Sequence, residues 1–362
     1  MDNIRAFLHR KDIVLSPKRY GIDAMSAMAQ GLFCSLLVGT ILDTLGNQLG
    51  LQLLVMVGQY ASAMSGSAMA VAIGYALKAP PLVLFSLATV GYAANALGSM
   101  TLSGELGAGG PLAVLLLAIP AAELGKAVSG ETRVDILVTP LVTLLFGVGL
   151  ASVVAPALGS AAVSVGEVIR WATEQQPLLM GAVVSVVIGI ALTLPISSAA
   201  ICAILELTGL AGGAALAGCC ANMVGFAVLS FRENGWGGVL SQGLGTSMLQ
   251  MGNIVRNPRI WIPAIAASAL TGPLATCVFR LEMNGAPIAS GMGTCGMVGP
   301  IGVYSGWMAG VEAGTRGPVT GLDWLGLGLI CFVLPAVLSW FFGLLCRRAG
   351  WIREGDLTLN RS

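Results

Sequence analysis

Charge is what this sequence has least of. Only 10% of its 362 residues are Asp, Glu, Lys or Arg, against roughly 25% in soluble domains. So few charges exclude a chain kept in solution as separate domains. The net charge is +1, which excludes the strongly basic surface of a nucleic-acid binder. There is one histidine, His9, in a charged N-terminal stretch where it is solvated. The apolar part therefore has no nucleophile–histidine pair and no zinc spacing, so a membrane enzyme of those kinds is not expected. The eight cysteines lack a C-x-x-C pair. They read as small hydrophobes rather than disulfides or ligands, and no metal or cofactor is expected. A cleavable signal peptide is not evident either: the first apolar run, 24–42, leads to Asp43 instead of a cleavage pattern.

What is present is apolar. Hydrophobic residues make up 56% of the chain, and the mean hydropathy is +0.86. The 50 glycines follow no Gly-x-y period; in membrane helices glycine permits close approach and broken segments. The fold class is an all-α integral membrane protein. At ~20 apolar residues per crossing, ten spans are expected, near 22–43, 50–77, 81–99, 111–128, 134–156, 178–206, 208–229, 238–254, 260–279 and 324–346. Residues 1–20 read as a cytoplasmic amphipathic segment, 21–348 as the membrane domain and 349–362 as a cytoplasmic tail. Arg5, Arg10, Lys11, Lys18 and Arg19 at one terminus, and Arg347, Arg348, Arg353 and Arg361 at the other, put both ends inside. Lys78, Lys126, Arg133, Arg256 and Arg259 agree with that topology. Arg170, Arg232, Arg280 and Arg316 fall on the far side or at membrane depth and are not explained by it. Residues 158–175 read as interfacial, with Ile169, Trp171 and Ala172 toward lipid and Glu167, Arg170 and Glu174 toward water.

An internal duplication is expected. Asn95 and Gly98, Leu102-Ser103, Glu105, Gly107 and Gly109-Gly110 are echoed by Asn222 and Gly225, Leu229-Ser230, Glu233, Gly235 and Gly237-Gly238. Ser67-Ala68 and Ala72-Ile73 match Ser198-Ala199 and Ala203-Ile204, and Pro140 with Gly149 matches Pro263 with Gly272. The repeats would span 50–157 and 178–280, parallel or inverted. Such repeats with broken helices are a transporter pattern.

Polar groups inside apolar stretches mark candidate solute sites. The two glycine-rich hairpins bearing Glu105 and Glu233 come first, with Asn95, Asn222, Asn234 and Gln242 around them. Leu-Pro-Ile-Ser-Ser, 194–198, joins a helix-breaking proline to Ser197 and Ser198. Residues 284–303 are too rich in glycine and proline for a regular span and suggest a re-entrant hairpin offering Glu282, Asn284, Ser290 and Thr294. Their Gly-x-Gly-x-x-Gly lacks the strand–helix context of a dinucleotide site. Glu123 and Lys126, three apart, read as an interfacial snorkelling pair. Glu206 fits either a wet helix end or a deep site.

Several long runs resemble one family. They are Gly-Ala-Gly-Gly-Pro-Leu-Ala-Val at 107–114, Ala-Ala-Glu-Leu-Gly-Lys at 121–126 and Val-Asp-Ile-Leu-Val-Thr-Pro-Leu-Val-Thr at 134–143, with the runs 193–200, 231–235, 242–250 and 291–299. They resemble the IIC-type membrane permeases of the phosphotransferase system, in the branch with the perfringolysin regulator-like proteins. The resemblance runs from about residue 15 onward. It implies a homodimer in a bacterial inner membrane that handles a small polar solute, sugar-like or a small organic acid. Sugar-transporting members work with a IIB phosphotransfer subunit. With no IIA or IIB segment and no membrane-embedded histidine here, phosphorylation-coupled uptake and such a subunit are not expected. The first functional reading is an alternating-access transporter. The second is a membrane sensor or regulator that signals to a cytoplasmic partner.

Overall fold

The computed structural model describes residues 2–359; the side chains of residues 2–5, Gly166, Glu167 and Arg170 lie outside that description, as does the expected Arg361. Helices dominate. In chain order they are α1 (Asp2–Arg10), α2 (Arg19–Leu49), α3 (Gln52–Ala63), α4 (Ser65–Ala76), α5 (Pro81–Gly98), α6 (Gly110–Val128), α7 (Asp135–Thr173), α8 (Pro177–Thr193), α9 (Ser198–Ile204), α10 (Gly209–Leu229), α11 (Phe231–Leu240), α12 (Met251–Arg256), α13 (Pro258–Val278), α14 (Pro287–Ser290), α15 (Val298–Glu312) and α16 (Gly321–Arg348). Among the described residues seven helices are long and apolar enough to cross a membrane: α2, α5, α6, α7 up to Val165, α10, α13 and α16.

That is fewer than the ten spans expected. The stretch 50–77 breaks at Met64 into α3 and α4. The stretch 178–206 stops at Thr193, because Pro195 bars a helix before it and Leu194 turns extended. The stretch 238–254 is cut into short pieces by Gly243, Gly245 and an extended Thr246. The 158–175 segment is no separate interfacial helix but the end of α7. Ile169 and Ala172 are buried rather than lipid-facing, while Trp171 is exposed.

Two compact units divide the chain, residues 1–161 and 162–362. In the first, α4, α5 and α6 pack antiparallel through small residues, with Gly66 on Gly91 and Gly98 on Ala113. The C-terminal carbonyl of α4, on Leu77, accepts hydrogen bonds from Arg19 at 2.7 Å and Lys126 at 2.9 Å. Lys126 also donates to the Asp12 carbonyl at 2.8 Å and pairs with Glu123 at 3.0 Å. Tyr20 donates to the other Glu123 oxygen at 3.0 Å. This corrects the snorkelling reading: the Lys126 side chain is only 2% exposed, because residues 11–20 fold over it. Two cations on one helix C-terminus complement its dipole. Asp12 accepts from Arg19 at 2.6 Å, which holds its carboxyl below the usual carboxylate range.

In the second unit α8 and α10 run parallel. Gln176–Leu178 lie beside Leu210, and further along Gly189 meets Gly218 and Asn222. α13 runs antiparallel to α8, with Thr276 bonded to the Pro177 carbonyl at 2.7 Å and Ser185 to that of Ser268 at 2.7 Å. α16 runs parallel to α10, since Ser339 meets Gly225 and Gly343 meets Leu229. Parallel neighbours in sequence demand a return. Residues 194–208, including α9, bring the chain back to the end where α8 began. A second return is 281–306. It leaves that same end at Leu281 beside Gly213, reaches Cys219 and Met223 with Gly293, and comes back with Gly302 on Gly285. Glu206 ends the first return, exposed at φ +49°, so its wet-helix-end reading holds.

The helices touch backbone to backbone. A Cβ on Gly218 would run into the Ser185 carbonyl, and one on Gly272 into that of Gly181. Gly218→Val should therefore cost at least ~1–3 kcal/mol, lowering the melting temperature and the monodisperse yield in detergent. Gly149→Ala, where nothing lies within 4 Å, should leave both unchanged or slightly raised.

Candidate functional site

Three interruptions of helix meet halfway along α10. The first is the α8–α9 turn, where the Ser197 side chain caps α9 by accepting from Ala200 N–H at 3.1 Å. Next to it Ser198 donates to the Gly291 carbonyl at 2.7 Å. The second is the tip of the 281–306 return, where Thr294 donates to the Gly243 carbonyl and Ser290 to that of Pro287 at 2.6 Å. The third is the break at 241–247 that follows α11. Broken helix leaves carbonyls without helical donors, and at Gly291 and Gly243 a hydroxyl on the facing segment supplies one. Ser198 is 4% exposed, and Ser290 and Thr294 are fully buried.

Asn222 lies one helical turn further on. It donates to the Gly218 carbonyl at 3.1 Å and to Ser268 at 3.2 Å, and accepts from Trp261 at 2.9 Å. Thr193 links it to Ser247 at 2.7 Å. Every polar group in this mid-helix set is neutral: hydroxyl, amide, carbonyl or, at Trp261, an indole N–H.

A second polar set lines the mouth. Arg280, Glu282, Asn284, Thr315 and Arg316 surround a cavity of about 610 Å³ at the end where the first return finishes and the second begins, within the usual ~300–1,000 Å³ of ligand sites. Asn284 donates to Glu282 at 3.0 Å and accepts from Gly209 N–H at 3.1 Å, which orients the carboxylate. Arg316 pairs with Asp323 and stacks 4.8 Å over Trp307.

The other expected residues stand elsewhere. Glu105 is exposed on a turn of the first unit, where Thr101 N–H bonds its carbonyl at 2.8 Å. Asn95 is half-buried on α5, opposite the start of α6. Glu233 is 5% exposed and pairs with Arg347 at 3.0 Å. The paired motifs also fold differently, as a turn at 101–105 and as helix kinked at Gly235, φ +58°. Asn234 and Gln242 belong to an amide ladder that reads the tail. Asn234 donates to the Leu357 carbonyl at 2.8 Å and accepts from Leu359 N–H at 2.8 Å. Gln250 donates to the Leu357 carbonyl at 3.0 Å and to Gln242 at 2.9 Å, and Asn253 donates to the Thr358 carbonyl at 3.0 Å. Leu357 is fully buried. The tail is thus packed into the unit.

Sequence reading left Arg280 and Arg316 unexplained and passed over Gln250 and Asn253 of this ladder. The signal was present: Gln250 and Asn253 stand three apart inside the expected 238–254 span, and Asn257 follows four residues on.

Thr294→Val removes the donor to Gly243 while keeping shape, and should cost ~1–3 kcal/mol as a buried carbonyl loses its partner. A thermal melt of the purified protein checks this; an unchanged melt would show that the 281–306 tip is not keyed there.

Comparison with curated proteins and with solved structures gave no match. Residues 22–359 match the family described as "Phosphotransferase system, EIIC". With nearly all of its length in that match, the chain belongs to the EIIC family of the phosphotransferase system, the multi-pass membrane permease components.

Proposed function

We propose that this protein carries a small, neutral, polyhydroxylated solute across a bilayer by alternating access, the solute binding where the three helix breaks meet. The observation behind this reading is the buried set Ser198, Ser290, Thr294 and the Gly243 and Gly291 carbonyls. Neutral donors and acceptors match sugar hydroxyls, and buried polar groups left without a partner discriminate strongly. Here each satisfies the other, which is how a shut path keeps broken backbone tolerable at membrane depth. The 194–208 and 281–306 returns act as re-entrant hairpins. Parting the second from 241–247 frees hydroxyls and carbonyls for solute. The Glu282 cavity is the vestibule at that end.

The proposal puts Glu105 on the surface and gives Glu233 the task of holding Arg347 and α16. It includes the duplication, a homodimer and a bacterial inner membrane, as the family resemblance implies, and the perfringolysin regulator-like branch. Orientation follows from charge. One end of the second unit carries Arg232, Arg256, Arg259, Arg347, Arg348 and Arg353 against Glu233, Glu354 and Asp356; the other carries Arg280 and Arg316 against Glu206, Glu282, Glu312 and Asp323. The basic end is cytoplasmic. Arg232, expected on the far side or at membrane depth, thereby joins the inner cluster, because the 194–208 return takes the 178–206 crossing out of the count before it.

Uptake of labelled hexoses, pentoses and sugar alcohols into proteoliposomes tests the reading. Saturable uptake of at least one is expected, with Glu282→Gln raising its apparent KM about tenfold, the worth of one hydrogen bond to a charged group. No uptake of any of them would remove the transport reading; an unchanged KM would remove Glu282 from the solute's route.

A further inference from the structure

The basic end of the second unit holds a groove that the solute route does not use. α10 ends at Leu229 and α16 at Arg348, and Arg347 donates to the Leu229 carbonyl at 3.1 Å, so two spans end at one level. The 21 residues of α10 rise about 31 Å, close to the ~30 Å of a hydrocarbon core. That level is therefore the membrane–water boundary. Trp236, Val239, Trp340 and Leu344 line a cavity of about 400 Å³ there, with Arg232 and Arg347 among them.

Both indoles are largely open, Trp236 at 73% and Trp340 at 55% exposure, as suits headgroup depth. One nitrogen of Arg347 serves both Glu233 and the Leu229 carbonyl. Arg232 is exposed and has no ion pair or hydrogen bond among the described residues. Glu233, the nearest acid in sequence, is 95% covered at its side chain, being 5% exposed, and is not part of the lining. The groove thus offers cations at its wet rim and an apolar wall below.

We propose that this groove binds one anionic phospholipid, with its phosphate at Arg232 and Arg347 and an acyl chain along Trp340, Val239 and Leu344. Guanidinium groups bind phosphate through paired N–H donors. A free phosphate would gain nothing from the apolar wall. A second copy docking by a two-fold axis would set these arginines against their own kind. The site leaves the solute route untouched, so it stands or falls apart from the transport reading.

Native mass spectrometry of the full chain, incubated with phosphatidylglycerol or with phosphatidylcholine of the same acyl chains, tests this. Phosphatidylglycerol should be retained about fivefold more per engaged arginine. Arg232→Gln, a surface change that should leave the thermal melt unaltered, should lower its retention about fivefold and leave the share due to Arg347. Trp340→Ala should weaken both lipids. Excess inorganic phosphate should displace neither. Equal retention of the two lipids, full retention by Arg232→Gln, or displacement by phosphate would each overturn the proposal. So would disulfide crosslinking of two Trp236→Cys copies, which would give the groove to a partner subunit.

Discussion

A peptide carbonyl that leaves a helix inside an apolar medium needs a donor from the protein itself, because no water is there to supply one. This constraint shapes the second unit more than any other. Its chain breaks regular helix at 194–197, 241–247 and 291–297, all beside the middle of α10. Each break would cost several kcal/mol if left open. The hydroxyls of Ser198 and Thr294 close two of them by reaching across to the neighbouring break. The breaks therefore stabilise one another: parting 194–198 from 291 strands the Gly291 carbonyl, and parting 294 from 243 strands that of Gly243. A solute with several hydroxyls can take over those bonds one for one, which is why the stabilising contacts and the proposed binding groups are the same atoms.

The breaks meet because glycine lets the helices close in. Gly181, Gly189, Gly218 and Gly272 put α8, α10 and α13 in backbone contact, which leaves room for neither lipid nor large side chains around the junction. At the end where α10 and α16 finish, the tail is fixed through its own backbone, by Asn234, Gln250 and Asn253. Gln242 ties that ladder to α11, and Gly243 next to it accepts from Thr294. The ladder and the helix-break junction are thus joined through adjacent residues.

Composition showed the helical, apolar class, and prolines and glycines marked the breaks at 194–200 and 284–303. Direction was not legible. An apolar run such as 178–206 has the same hydropathy whether it crosses or turns back, and it takes two contacts, Leu178 beside Leu210 and Gly189 on Gly218, to show that α8 and α10 are parallel. The surroundings of the acids were not legible for a related reason. Glu105 and Glu233 share a motif but not an environment, one exposed and the other held by Arg347, a residue 114 positions away. Lys126 was misplaced likewise, since its partners Asp12 and Leu77 are distant in sequence. Ser198, Ser290 and Thr294 stood out as hydroxyls beside glycine and proline in an apolar run, and the structure adds that they are buried.

The most direct measurement is a cryo-electron-microscopy map of the purified protein with a transported sugar bound. The account predicts solute density between Ser198, Thr294 and the Gly243 and Gly291 carbonyls, with the hydroxyl-to-carbonyl bonds replaced by bonds to the sugar. Density elsewhere, with both of those bonds still made, would contradict it.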